Sequence, residues 1–377
     1  MQHEQSDSFL TYFEGNRRLN SPLWNMYFKP TSLGRSLMRK LLFCCLSVML
    51  LTCFAWAQKS EYKILEKVKL GGEGGWDYLT ADAKTGFLFI SRGTHVQVMD
   101  MEKKTLVGDI PNTNGVHGIA LAHEFGKGYI SDGRDTSVTV FDLATLKTLK
   151  VIKIKGIGPD AIIYDRASKR IFTFNGRSSD ATAIDAASDS VVGTVILEGK
   201  PEFAQTDGNG KVFANLEDKS VIVAFDAKSL KVISRWPLAP GEEPSGLAID
   251  RKGHRLFSVC SNNYMIVLNC ESGAVVAKLP IGKGPDAAGY DPETHLAFSS
   301  NGEGTLTVVR QENPDTYTVI GNVKTQPRSK TMALNPKNHC VYLGAAEFDK
   351  APEATKDNPR PRAPMVKDSF SILIVGR

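Results

Sequence analysis

The chain has 377 residues, 42% hydrophobic and 23% charged, with a formal net charge of +5 and six cysteines. So small a positive excess excludes an electrostatic case for a nucleic-acid partner. Residues 1–37 are polar, with scattered aromatics and no period, and read as a non-native upstream extension or a disordered segment. From Met38 a signal peptide is expected over 38–57: Arg39 and Lys40 are basic, 41–54 is apolar, and Ala55-Trp56-Ala57 has the small-x-small form of a cleavage site. The apolar run falls short of the roughly 20 residues a spanning helix needs, so no transmembrane segment is expected in the mature chain. Cleavage after Ala57 leaves one domain over 58–377, with 40 Lys/Arg against 38 Asp/Glu. A periplasmic or secreted monomer is expected.

Three cysteines, Cys44, Cys45 and Cys53, leave with the signal. Cys260 and Cys270 fall on consecutive strands of a hairpin turning near Asn262-Asn263, so that Cys260 faces the Met265 region. At about 3.3 Å per residue the two lie roughly 15 Å apart, too far to bridge. Cys340 has no evident partner, so the three read as small buried apolar residues and packing must hold the fold.

From Trp76 onward the chain repeats. The units begin at Trp76, Val116, Pro159, Pro201, Pro244, Pro285 and Ser329, at spacings of 40, 43, 42, 43, 41 and 44 residues. The second unit shows the pattern: "HGIALA", "GYISD", "VTVFD" and "TLKVIKI" are strand-like and are separated by the polar turns "HEFGK", "GRDTS" and "LATLK". Four short strands per unit of about forty residues predict a β-propeller, in which neighbouring units bury apolar surface that none buries alone. The seventh unit offers strands only over 331–335, 340–343 and 370–375. Its outer strand is expected from 62–70, closing a seven-bladed, all-β ring and removing the exposed strand edges.

Repetition separates scaffold from site. Asp82, Asp165, Asp207, Asp250, Asp291 and Asn335 recur at one place, and Asp100, Asp142, Asp185, Asp226 and Asn269 at another. Both sets precede turns, where a short carboxylate or amide accepts from backbone N–H groups. The second residue of each unit varies instead: Asp77, His117, Asp160, Glu202, Ser245, Asp286 and Lys330. These start the inner strands and are expected around one mouth of the central channel as a ligand-binding ring. Among them Asp77, Asp160, Glu202 and Asp286 are the candidate metal ligands, since oxygen-rich rings suit hard divalent cations and a His with carboxylates suits a transition metal. The competing expectation is that these acids cap the tight turns that carry them.

On the same face the loops between second and third strands supply Arg92, His95, Arg134, Arg177 and Glu217, together with Asp218, Asn262 and Asn301. The seventh unit's loop, over 346–368, is far longer and carries four prolines with Arg360 and Arg362. Loops of that length are functional or disordered, so it reads as a basic lid across the mouth or as a mobile segment.

Over about 60–377 the chain resembles the YncE-like proteins built of YVTN-type propeller repeats. The likeness rests on "GVHGIAL", "SVTVFDLATLK", "GPDAIIYDRASKRIFTFNGRSSDATAIDA", "KPEFAQTDGNGKVFANLEDKS", "RWPLAPGEEPSGLAID", "GTLTVVRQ" and the closing "FSILIVGR". "GYISD", "IFTFN" and "VFANL" depart from the literal Tyr-Val-Thr-Asn string. The resemblance implies a seven-bladed ring outside the cytoplasm, in a group mostly without assigned chemistry. One member is associated with single-stranded DNA, an activity not carried over here because excess charge and a row of stacking aromatics are both missing.

Three functions are open to such a chain. The first is a binding or scaffold module that takes a protein, peptide or small anionic ligand on the loop face. The second is a metal-assisted hydrolase of the lactonase type, with His117 as proton shuttle. The third is haem or quinone-type electron transfer, for which only His117 and His95 offer ligands and no C-x-x-C-H sequence exists. No HExxH, Gly-x-Ser-x-Gly or paired Cys ligands support hydrolysis.

Overall fold

The computed structural model describes residues 61–356, 359 and 361–377; the expected extension, signal segment and cleavage point, and Arg360, lie outside the described residues. Seven four-stranded antiparallel sheets follow one another along the chain, six of them built of consecutive strands ordered from inner to outer. They form blades 1 to 7 of a propeller. Blade 2 has the strands Val116–Ala122, Lys127–Asp132, Ser137–Asp142 and Thr148–Lys153, with a single 3₁₀ turn at His123–Phe125. Its second strand is buried from Gly128 to Asp132, whereas its outer strand buries Ile152 alone.

One position carries much of the packing between blades. The third residue of every second strand is aromatic: Phe89, Tyr129, Phe172, Phe213, Phe257, Phe298 and Tyr342, all within 1% of complete burial. Each such ring contributes about 1.5–3 kcal/mol by leaving water. Close approach also restricts residue size. A Cβ at Gly246, on the inner strand of blade 5, would stand 2.6 Å from Ala288 N and Asp286 O of blade 6.

Blade 7 closes the ring in the expected way. Lys63–Lys69 pairs with Ser371–Gly376, which pairs with Cys340–Ala345 and so with Met332–Asn335. The scaffold aspartates hold their turns: Asp142 accepts from the Ala144 and Thr145 N–H groups, and Asp250 from those of Lys252 and Gly253. The three described cysteines are free, and Cys260 pairs with Tyr264, one residue short of the expected register. Among the described residues no helix is long and apolar enough to cross a membrane.

Candidate functional site

The varying residues of the ring sit where the inner strands break register. In blades 2 to 6 pairing with the second strand shifts immediately after Val116, Pro159, Pro201, Pro244 and Pro285. His117, Asp160, Glu202, Ser245 and Asp286 therefore occupy β-bulges, which redirect side chains out of the ladder. Asp77 and Lys330 precede the inner strands of their blades, which begin at Leu79 and Met332.

Small polar groups inside otherwise apolar second strands hold the irregular backbone. Ser131 of blade 2 donates to Asp160 O at 2.5 Å and accepts from Gly118 N. Asn215 of blade 4 donates to Ser245 O at 2.8 Å, and Ser300 of blade 6 donates to Lys330 O. Ser91 accepts from Asp77 N at 2.9 Å. Each of the three donors reaches into the next blade, so the bulges are tied across the seams. These positioning residues were missed in the sequence, although a Ser or Asn interrupting an apolar strand ("GYISD", "VFANL", "AFSSN") is their visible signal.

The turn-capping expectation for the ring acids fails. Among the described residues no backbone N–H donates to the carboxylates of Asp77, Asp160, Glu202 or Asp286; their partners are His117, Lys200 and Lys330. Asp77 lies 2.6 Å and Asp160 3.6 Å from His117 Nδ1. Lys330 donates to Asp286 at 3.0 Å, and Lys200 joins Glu202 at 2.7 Å to Glu217 of the neighbouring loop. Burial, reinforced by Asp77, pushes the Asp160 carboxyl up to about 6 against the pull of His117. Burial also raises Glu202 and Asp286. For His117 burial acts downward, but the Asp77 hydrogen bond and the charges of Asp160, Asp77 and Glu202 outweigh it and raise the imidazole. Gly133 gives this ring room, since a Cβ there would be 2.7 Å from its Cδ2 and Nε2 atoms.

Next to the ring residues two aromatic side chains from distant blades meet. Tyr78 of blade 1 and Phe203 of blade 4 stack with centroids 4.6 Å apart. The Tyr78 hydroxyl is buried and without a hydrogen-bond partner. Its ionisation is pushed well up by burial and then by Asp160, Asp77, Glu202 and Asp286. The mouth is thus a cup with an aromatic pair at its base.

The long loop forms part of the same site. Phe348 and Met365 form an antiparallel bridge, with Asp349 N donating to Pro364 O and Val366 N to Glu347 O. Its base is therefore ordered. Phe348 lies 6.2 Å from Trp76 and under the Arg328 guanidinium at 4.2 Å. Between loop and ring is a cleft of about 450 Å³, lined by Trp76, Phe348 and Met365 on its apolar side and by Arg328, Lys330, Arg362 and Asp77 on its polar side. Among the described residues neither Arg328 nor Arg362 has an ion-pair partner. Trp76, Arg328, Phe348 and Met365 were missed in the sequence, because nothing marks which loop residues fold back onto a ring.

The remaining loop candidates divide. Arg92 is not a loop ligand: it is fully buried and donates to Gly71 O, Gly72 O, Glu73 O, Gly74 O and Gln97 Oε1, above the Phe370 ring at 3.9 Å. His95 turns to Asp109 of the outer strand, 3.6 Å away. Arg134 and Arg177 are exposed, packed beside Gly115 and Gly158 at the approach to blades 2 and 3. Asn262 and Asn301 serve turns and strand ends, as shown by their bonds to Pro240 O and to the Thr305 and Thr307 hydroxyls.

No family model and no curated protein matches the chain. Solved structures do. A chain of the mitotic checkpoint complex is similar over 84% of this chain and 92% of its own, at 12% identity and a TM-score of 0.68. The RRP9 WD40 repeats are similar over 84% and 97%, at 8% identity and a TM-score of 0.69. The hydrazine synthase of Kuenenia stuttgartiensis is similar over 79% and 97%, at 16% identity and a TM-score of 0.62. At such identities the likeness concerns the fold, and the chain is a seven-bladed β-propeller with WD40-repeat structural neighbours.

Proposed function

We propose that this propeller is an extracytoplasmic binding module of the YncE-like kind, taking a small organic anion or the carboxylate end of a peptide on its loop face. The observation that carries this reading is the cleft beside the cup. Arg328 and Arg362 have no ion-pair partner among the described residues, and they stand over an apolar wall of Trp76, Phe348 and Met365. Concave sites with apolar walls and a few convergent polar groups are where small ligands bind, and guanidinium groups match carboxylates in a bidentate fork.

The test is calorimetry on the full chain with a panel of aryl and alkyl carboxylates and their neutral amides. Binding of carboxylates but not amides, weakened tenfold or more by Arg328→Gln with Arg362→Gln, is the expected result. Equal binding of acid and amide, or no binding across the panel, would contradict the proposal.

A further inference from the structure

Charge around the cup is unevenly matched. Lys330 answers Asp286, and Lys200 answers Glu202 and Glu217. Asp77 and Asp160 share a single imidazole. His117 Nδ1, one oxygen of Asp77 and one of Asp160 lie within 4.8 Å of one another. Ligand atoms about 2.1 Å from a tetrahedral ion stand roughly 3.4 Å apart. The His117–Asp160 distance of 3.6 Å already fits, and the 2.6 Å His117–Asp77 distance needs to open by less than about 1 Å.

A second observation comes from below. The Tyr78 hydroxyl, next in the chain to Asp77, is completely buried and without a partner. An unpaired buried hydroxyl costs about 1–3 kcal/mol. A water or ion seated among these groups would give it a partner.

We propose that Asp77, His117 and Asp160 form a binding site for one divalent transition-metal ion of the zinc class, seated above the Tyr78 hydroxyl. One imidazole nitrogen with two carboxylates suits zinc and its neighbours, whereas calcium requires six to eight oxygens. Three protein ligands from blades 1, 2 and 3 leave at least one coordination position facing the cup. The site borders the cleft through Asp77, but none of the cleft's cations contributes a ligand, so metal binding is tested separately from carboxylate binding.

A second grouping, His254, Cys270 and Glu271, is the competitor. Burial pushes the Cys270 thiol up to about 11, so it is protonated and a poor ligand, and Glu271 is already held by Lys211 at 3.0 Å.

The experiment uses untagged full-length protein stripped with a chelator and titrated calorimetrically with Zn²⁺, then with Co²⁺ read by absorption. One ion per chain is expected. Affinity should fall at least 30-fold in His117→Ala and in Asp160→Asn, and several-fold in Tyr78→Phe, and remain unchanged in His254→Ala. The Co²⁺ complex should lack a thiolate charge-transfer band. Thermal melting of each stripped variant separates loss of a ligand from loss of the fold, and His117→Gln supplies a second, larger side chain should His117→Ala melt early. Binding that survives in His117→Ala and disappears in His254→Ala, a thiolate band, or no stoichiometric ion would overturn the proposal.

Discussion

At the scale of single residues, burial decides what a charged side chain does, and the sequence shows burial poorly. Arg92 lies in "ISRGT" like any loop arginine, yet its guanidinium ties the 71–74 segment to blade 1 and to Phe370 of blade 7. Charge-assisted hydrogen bonds contribute about 1.5–3 kcal/mol each, and those left unmade cost more. Arg92→Met should therefore cost about 3 kcal/mol or more in urea unfolding. Arg92→Lys should recover little of it, because an ammonium cannot reproduce the planar fork. A shift below about 1 kcal/mol would show the bonds to be incidental.

Asp132 gives a second residue-scale prediction. It ends the second strand of blade 2, where blades 3 and 6 carry Asn175 and Asn301, and it accepts from Thr139 as those amides donate to Thr182 and Thr307. Burial pushes its carboxyl up to about 7, and its second oxygen has no partner. The folded chain then keeps a proton that the unfolded chain releases near pH 4, so stability falls as pH rises through this window and stays lower above about 7. Asp132→Asn should gain about 1–3 kcal/mol at pH 8 and almost nothing at pH 4. Thermal melts at the two pH values decide it, and an equal difference at both would refute the assignment.

At the scale of elements, the inner-strand bulges and the long loop build the site. The strands were legible because their residues alternate and their turns recur. The second position of each unit was legible because it alone refused to repeat. What the sequence did not carry was contact between segments far apart: the serines bracing a neighbouring blade, or Phe348 folded toward Trp76. The loop's order comes from its base, so its tip is separable. Replacing residues 350–363 by two glycines leaves the Phe348–Met365 bridge and removes Arg362. Melting temperature should change by no more than about 2 °C while carboxylate affinity drops tenfold or more. A large loss of stability would make the loop part of the fold. Gly246→Ala should act in the opposite sense, costing about 1–3 kcal/mol by forcing blades 5 and 6 apart without touching the cleft.

At the scale of the whole molecule, closure is the organising event. The strand Lys63–Lys69 belongs to blade 7 although it lies before blade 1, and Arg92 fastens the connection that follows it. The period of the repeat predicted this seam, because the last unit lacked one strand. The stack between blades 1 and 4 was not predicted: Tyr78 and Phe203 are the residues after Asp77 and Glu202, and only the curvature of the ring brings them face to face.

That stack changes how the molecule should respond to stress. In an array of repeats each unit ordinarily interacts with its two neighbours, and damage can spread from one end. Here blade 1 touches blade 4 directly, as a spoke joins distant points of a wheel's rim. A fault in either blade is felt on the far side without passing through those between, so the seven units should fail together. Tyr78→Ala with Phe203→Ala should turn one sharp calorimetric transition into a broader one, with the van't Hoff enthalpy falling below the measured heat.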